Sequence, residues 1–266
     1  MDNVKKRAAE LLKSEAVKVV IGYTMGTNGK PRAAFIQNAE DVDSLIFNAQ
    51  CVQNLAVYLS KAEIKQLGKP AIVAPLNVLR AIIQLASEMQ IQENELIVLG
   101  VSPDGELIDF QNFSAIEKYL EDFNMEVDAK EKETLEKISS MSLEERWKFW
   151  NEELAECFKC YACRAACPMC YCHKCAVEQN KPQWIPVAAH RLGNLEWHIM
   201  RAMHLAGRCV NCDACHEACP KGINLNFLTK LMLNDAQEEF GYTGVTLKEG
   251  NLLSTFKTND QENFIQ

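Results

Sequence analysis

Residues 157–175 read CFKCYACRAACPMCYCHKC, seven cysteines in nineteen residues. Thiols at that density point to chemistry rather than packing. The stretch contains Cys157-x2-Cys160-x2-Cys163-x3-Cys167-Pro168, and the same spacing recurs as Cys209-x2-Cys212-x2-Cys215-x3-Cys219-Pro220. A C-x2-C-x2-C-x3-C-P run is the pattern that binds 4Fe–4S cubanes. Three thiolates two residues apart wrap one cubane from a tight loop. The fourth faces away along a following helix and reaches the other cubane, and the proline turns the chain aside. On that logic Cys157, Cys160, Cys163 and Cys219 hold the first cluster, and Cys209, Cys212, Cys215 and Cys167 the second. Zinc is the competing reading, but zinc sites favour CxxC pairs separated by a longer loop.

Three cysteines of the opening stretch, Cys170, Cys172 and Cys175, are left over. They form a compact set for a third metal site, a 4Fe–4S cluster or a zinc. Its fourth ligand would be Cys51, the only other unassigned cysteine, or His173. The competing reading is a group of reduced, redox-reactive thiols beside the second cluster. His190, His198, His204 and His216 read as packing residues, with His216 placed to tune a cluster. Tyr161 and Val210 each follow a ligand and are expected to shield a cluster from water.

The remainder of the chain sets the context. Among 266 residues the net charge is −8, which disfavours a nucleic-acid binder working through a basic surface. The cysteine-rich segment 157–219 runs the other way, with seven Lys/Arg against four Asp/Glu, and that suits anionic bound groups. No apolar run approaches the ~20 residues needed to cross a bilayer. The N-terminus, MDNVKKRAAELLKSEAV, lacks a signal-peptide core. The expectation is a cytoplasmic protein, in which a reducing environment favours metal ligation of its twelve cysteines over disulfides.

Before residue 140 the pattern alternates between strands and helices. Residues 3–14 predict an amphipathic helix, and VKVVIGYT, with 18–24 at its core, a strand. GTNGKPR predicts a turn leading into AAFI as a second strand. DSLIFNAQCVQNLAVYLS (43–60) predicts a helix with Leu45, Phe47, Val52, Leu55, Ala56 and Leu59 near one face and Cys51 within it. KPAIVAP and ELIVLGV predict strands, and NVLRAIIQLASEMQ and SAIEKYLEDF helices. MGTNGK is not a phosphate loop, because Gly29-Lys30 is followed by Pro31. Residues 124–141 read as a linker or a solvated helix. Ser142 and Glu145 form a capping box that starts a helix running into the first cysteines. The expected organisation is an α/β docking or cofactor-binding domain (1–140), a mainly α-helical domain with two clusters (141–240) and a polar tail (241–266). That tail is expected either to lie along a partner or to be disordered.

The double motif and its surroundings, above all WHIMRAMHLAGRCVNCDACHEACPKGINL (197–225), resemble the α-helical ferredoxin domains. These occur in heterodisulfide reductase C-type subunits and in the iron–sulfur subunits of succinate dehydrogenase. KPAIVAPLNVLRAIIQLA (69–86) is distantly similar to the beta subunits of formate dehydrogenases and deazaflavin-coenzyme-reducing hydrogenases. That second likeness implies a cysteine near Asn77, which is absent here. Together the resemblances imply an iron–sulfur electron-transfer subunit of an anaerobic oxidoreductase complex. Its partners would be a flavin-containing heterodisulfide-reductase-like subunit and a formate dehydrogenase, hydrogenase or similar enzyme. Two alternatives stand beside it: a flavin-binding reductase fed by its own clusters, and a zinc-stabilised scaffold.

Overall fold

The computed structural model describes residues 1–123, 129–175, 184–242 and 244–248. The first part of the chain runs α1 (Asp2–Lys13), β1 (Val19–Met25), β2 (Pro31–Ile36), α2 (Ala62–Leu67), β3 (Pro70–Ala74), α3 (Leu76–Ser87), β4 (Ile97–Val101), β5 (Leu107–Asp109) and α4 (Phe113–Glu121). The strands form one sheet in the order β2-β1-β3-β4-β5. β1, β3 and β4 are parallel, with Val19 beside Pro70 and Ala71 beside Ile97. The edge strands β2 and β5 are antiparallel to their neighbours.

Alternation along the central strands divides their side chains between two faces. Val20, Ala71 and Val73 point toward α1, where Val4, Ala8, Leu11 and Leu12 are buried. Ile21, Ile72 and Ala74 point the other way, toward α3 and α4.

The expected helix over 43–60 does not form. Its place is taken by short 3-10 turns at Ala39–Ser44 and Leu55–Tyr58, with Ile46 bridged to Tyr23 between them. Two asparagines explain this, since a short amide side chain offers the backbone an alternative to helix bonding. Asn48 accepts from the Gln50 N–H at 2.9 Å, and Asn54 accepts from the Ala56 N–H at 3.1 Å. Asn54, fully buried, also donates to the Asn77 carbonyl at 2.9 Å. Leu45, Leu55, Ala56 and Leu59 reach the core all the same, but from 3-10 turns and the backbone beside them.

The second part is helical: α5 (Ala129–Ser140), α6 (Leu143–Glu153), α7 (Ala162–Ala165), α8 (Arg191–His204), α9 (Ala214–Glu217) and α10 (Asn226–Phe240). The Ser142–Glu145 capping box opens α6 with both reciprocal bonds made. Trp150, Leu154, Leu195, Trp197, Ile223 and Leu225 form the core of this part.

The two parts are fused. Met169, Leu205 and Val210 belong to the same buried cluster as Ile72, Leu79 and Ile82. Arg80 donates to the Val210 carbonyl at 3.2 Å. Glu88, just past α3, meets Arg208 and Tyr171. The chain then returns to α3 and α4: the Val245 N–H donates to Gln84 at 2.8 Å, and the Leu247 N–H to Glu117 at 2.7 Å. Residues 249–266, most of the expected polar tail, lie outside the described residues. Among the described residues no helix is long and apolar enough to cross a membrane.

Candidate metal centres

The two four-cysteine runs have the same backbone. Two residues after the first cysteine of each, Lys159 (φ 56°) and Asn211 (φ 53°) are left-handed; so, two residues further on, are Tyr161 (φ 60°) and Asp213 (φ 53°). Outside glycine and asparagine or aspartate this conformation is uncommon and costs about 1–2 kcal/mol per residue. The first run adopts it with Lys159 and Tyr161 where the second has the more permissive Asn211 and Asp213. Each turn directs a backbone N–H at a sulfur: Lys159 N to Cys157 Sγ, and Asn211 N to Cys209 Sγ, both at 3.4 Å. Inward-facing N–H groups of this kind make concavities suited to anions and iron–sulfur groups. The third cysteine of each run lies on a short helix, Cys163 on α7 and Cys215 on α9, and these helices pack together.

The fourth cysteines cross over. Burial raises the Cys157 thiol, the Lys159 N–H opposes this, and Cys160 and Cys219 push it up again. Burial and then Cys167 raise Cys212 to about 12. Burial likewise raises Cys215, which also feels Cys167, Cys209 and Cys212. Cys167, Cys209, Cys212 and Cys215 line a single cavity. Cys219 thus lies with the first run and Cys167 with the second. Among the described residues no group of three or more His, Cys, Asp or Glu side chains is drawn in tightly enough to hold a metal ion. Eight soft thiol donors in two such turns have the chemistry that iron–sulfur groups take, and Cys157, Cys160, Cys163 and Cys219 form one candidate ligand set, Cys167, Cys209, Cys212 and Cys215 the other.

Neighbouring side chains differ between the sets. His198 Nε2 is 3.3 Å from Cys157 Sγ, and burial, then the Arg201 and Lys159 charges, lower its pKa to about 3. Trp197 packs against Tyr161 with ring centroids 5.3 Å apart. Val210 is buried, whereas Cys160 is exposed. His216 bonds the Ile223 carbonyl through Nδ1 at 3.0 Å, and His190 caps α8. The sequence reading overlooked Arg201. It stands on the buried face of α8 with Asn194, Trp197 and His198. The i, i+3, i+4, i+7 spacing of those residues was the available signal.

Cys170, Cys172 and Cys175 line another cavity, with His204, Arg201 and Arg208. The Cys170 thiol bonds Cys167, which lowers Cys167 and raises Cys170. His173 is exposed. Cys51 is buried elsewhere, its sulfur 3.5 Å from the Asn48 N–H. It lines a cleft shared with Cys212, Asp213, Pro75, Asn77 and Pro103. That cleft lies beyond the carboxyl ends of β3 and β4, the edge at which parallel sheets commonly bind ligands.

No family model matches the chain. Over 102 residues, 38% of its length, it is 34% identical to the F420-dependent formate dehydrogenase subunit beta of Methanocaldococcus jannaschii. Over 28 residues it is 50% identical to the F420-dependent formate dehydrogenase 1 subunit beta of Methanococcus maripaludis. These matches span 25% and 7% of the two relatives, so the chain corresponds to only a part of each, and over that part it is similar to formate dehydrogenase beta subunits.

Proposed function

We propose that this protein is an iron–sulfur electron-transfer subunit of an oxidoreductase complex. Cys157, Cys160, Cys163 and Cys219 hold one 4Fe–4S cluster, and Cys209, Cys212, Cys215 and Cys167 hold a second. When bound, such clusters take up and release single electrons. The observation that carries the reading is the duplicated left-handed turn, with an N–H aimed at the first sulfur of each run. The chain's own part is to present thiolates, exclude water with Val210, Trp197 and Tyr161, and set the His198 ring against Cys157.

Likeness to formate dehydrogenase beta subunits supports a formate dehydrogenase as one partner. A hydrogenase or similar enzyme is the alternative in that place, and a flavin-containing heterodisulfide-reductase-like subunit is the partner on the other side. A third centre, a 4Fe–4S cluster or a zinc, is proposed at Cys170, Cys172 and Cys175. The position of Cys51 on a different cleft argues for a fourth ligand from elsewhere.

One observation favours a second reading, in which the α/β part binds a flavin. The cleft at the carboxyl ends of β3 and β4 has Cys212 in its wall, so a ring held there would lie beside the second ligand set. Anaerobic purification of the native complex, with partner identification and counts of iron, sulfide, zinc and flavin, separates these readings. About eight irons per chain and no flavin support the subunit reading with two clusters, and about twelve add a third. A stoichiometric flavin supports the second reading. Colourless protein without iron or sulfide sinks both.

A further inference from the structure

Arg201 is only 6% exposed, yet among the described residues no carboxylate pairs with it. Its Nε has no hydrogen-bond partner among them, and its Nη2 donates to the Cys163 carbonyl at 3.3 Å. Burying a cation costs several kcal/mol unless opposite charge lies alongside. The groups in a position to supply that charge are Cys163 of the first ligand set, Cys167 and Cys215 of the second, and Cys170, which belongs to neither. Burial lowers the Arg201 pKa, but Cys167, Cys170, Cys215 and Cys163 more than reverse this, and the guanidinium stays charged throughout the usable pH range. The side chain also lines the cavity of the second set.

We propose that Arg201 is a positioning residue common to both ligand sets, and that its fixed charge raises the reduction potential of the iron–sulfur centre each set holds. This rests on the two-cluster reading above. The physical reason is that reduction adds negative charge to a centre already anionic, and a buried cation favours the more negative state. Arg80 provides an internal control. It bonds the Val210 carbonyl and feels Cys209 and Cys212 of the second set alone.

The test is a redox titration followed by electron paramagnetic resonance on anaerobically purified wild-type protein, Arg201→Gln, Arg201→Lys and Arg80→Gln, each with iron and sulfide counted first. Arg201→Gln is expected to keep its iron and to lower both midpoints, each by about a tenfold change in the reduction equilibrium, or 59 mV for one electron. Arg201→Lys should retain most of the wild-type value at both centres, and Arg80→Gln should lower one alone. Unchanged midpoints in iron-replete Arg201→Gln, or a shift at a single centre, would overturn the proposal. If Arg201→Gln loses iron, Arg201→Lys decides: midpoints at or slightly below wild type at both centres support the inference. Iron loss in both variants would assign Arg201 to assembly and overturn it. Wild-type protein without iron would instead overturn the two-cluster reading itself.

Discussion

Arg208 Nε donates to Glu88 Oε1 at 2.8 Å, joining the segment after α8 to the end of α3 across 120 residues of sequence. Tyr171 donates to Glu88 Oε2 at 2.7 Å, and its ring lies under the guanidinium, 5.3 Å from centroid to Cζ. Gln84 donates to the same carboxylate at 2.7 Å. The pair is 15% and 5% exposed, so neither charge has water to fall back on if the other is removed. Glu88→Gln or Arg208→Met is therefore expected to lower stability by about 3–5 kcal/mol, the usual cost of stranding one buried partner. Denaturant unfolding of the variants measures it.

The same pair predicts an acid limb. Burial pushes the Glu88 carboxyl up, but Arg208, Tyr171 and Gln84 more than offset that and hold it below its ordinary value of 4.5. A carboxyl with a depressed folded pKa adds stability above its unfolded pKa and loses it as pH falls through the folded value. The stability gap between wild type and Glu88→Gln should hold from pH 7 to about 5 and narrow below pH 4.5. Urea unfolding across that range checks it, and a gap widening toward acid would contradict the assignment.

Crossed ligation has a signature in the choice of residue. Cys163→Ser and Cys219→Ala should affect the same centre, although the two cysteines belong to different runs. Cys215→Ser and Cys167→Ala should affect the other. Each variant is expected to lose up to about four irons per chain and one of two spectroscopic signals. If Cys167→Ala removes the same signal as Cys163→Ser, ligation is not crossed.

Cys51 and Cys172 separate two versions of the third site. Cys172 lines the cavity that holds Cys170, Cys175 and His204, whereas Cys51 lines the cleft beside Cys212. Metal content is expected to fall in Cys172→Ser and to stay at the wild-type level in Cys51→Ser. Inductively coupled plasma analysis of both proteins reads the difference, and equal losses would put Cys51 back among the ligands.

Gly22 marks where loop 37–60 presses on the sheet. A Cβ there would meet Leu45 Cδ2 and, at 3.3 Å, Val73 Cγ2, both fully packed. Gly22→Ala should cost about 1–3 kcal/mol by overpacking, seen as a lower thermal midpoint.

Much of this was legible in the residues. Strands β1, β3 and β4 are short β-branched runs bounded by turn signals, and α3 and α6 carry clear periodicity or a capping box. Their local preferences agree with the fold, so a reading of pattern finds them. Residues 43–60 misled because their apolar residues fall at helical spacing by coincidence. The deciding interactions were Asn48 and Asn54 bonding nearby backbone, and Ile46 bridging to Tyr23, none of which has a periodic signature. β5, three residues long, was too short to register. At the candidate centres the proposed ligands come from spacing alone, because cluster chemistry fixes the spacing. Arg201 and the pairing of Cys51 with the Cys212 cleft depend on how α8 and α9 lie against the sheet, and long-range contacts of that kind leave little local trace.

The shared interior sets a limit on how the gene can be cut. Met169, Leu205 and Val210 close the same apolar cluster that β3 and α3 open. A chain ending near residue 140 would expose that sheet face to water, and a chain beginning there would leave the second cysteine set without its wall. Neither half is a ready module for fusion, shuffling or separate expression. Glu88, Arg208 and Tyr171 tie the two parts together as much as the apolar cluster does.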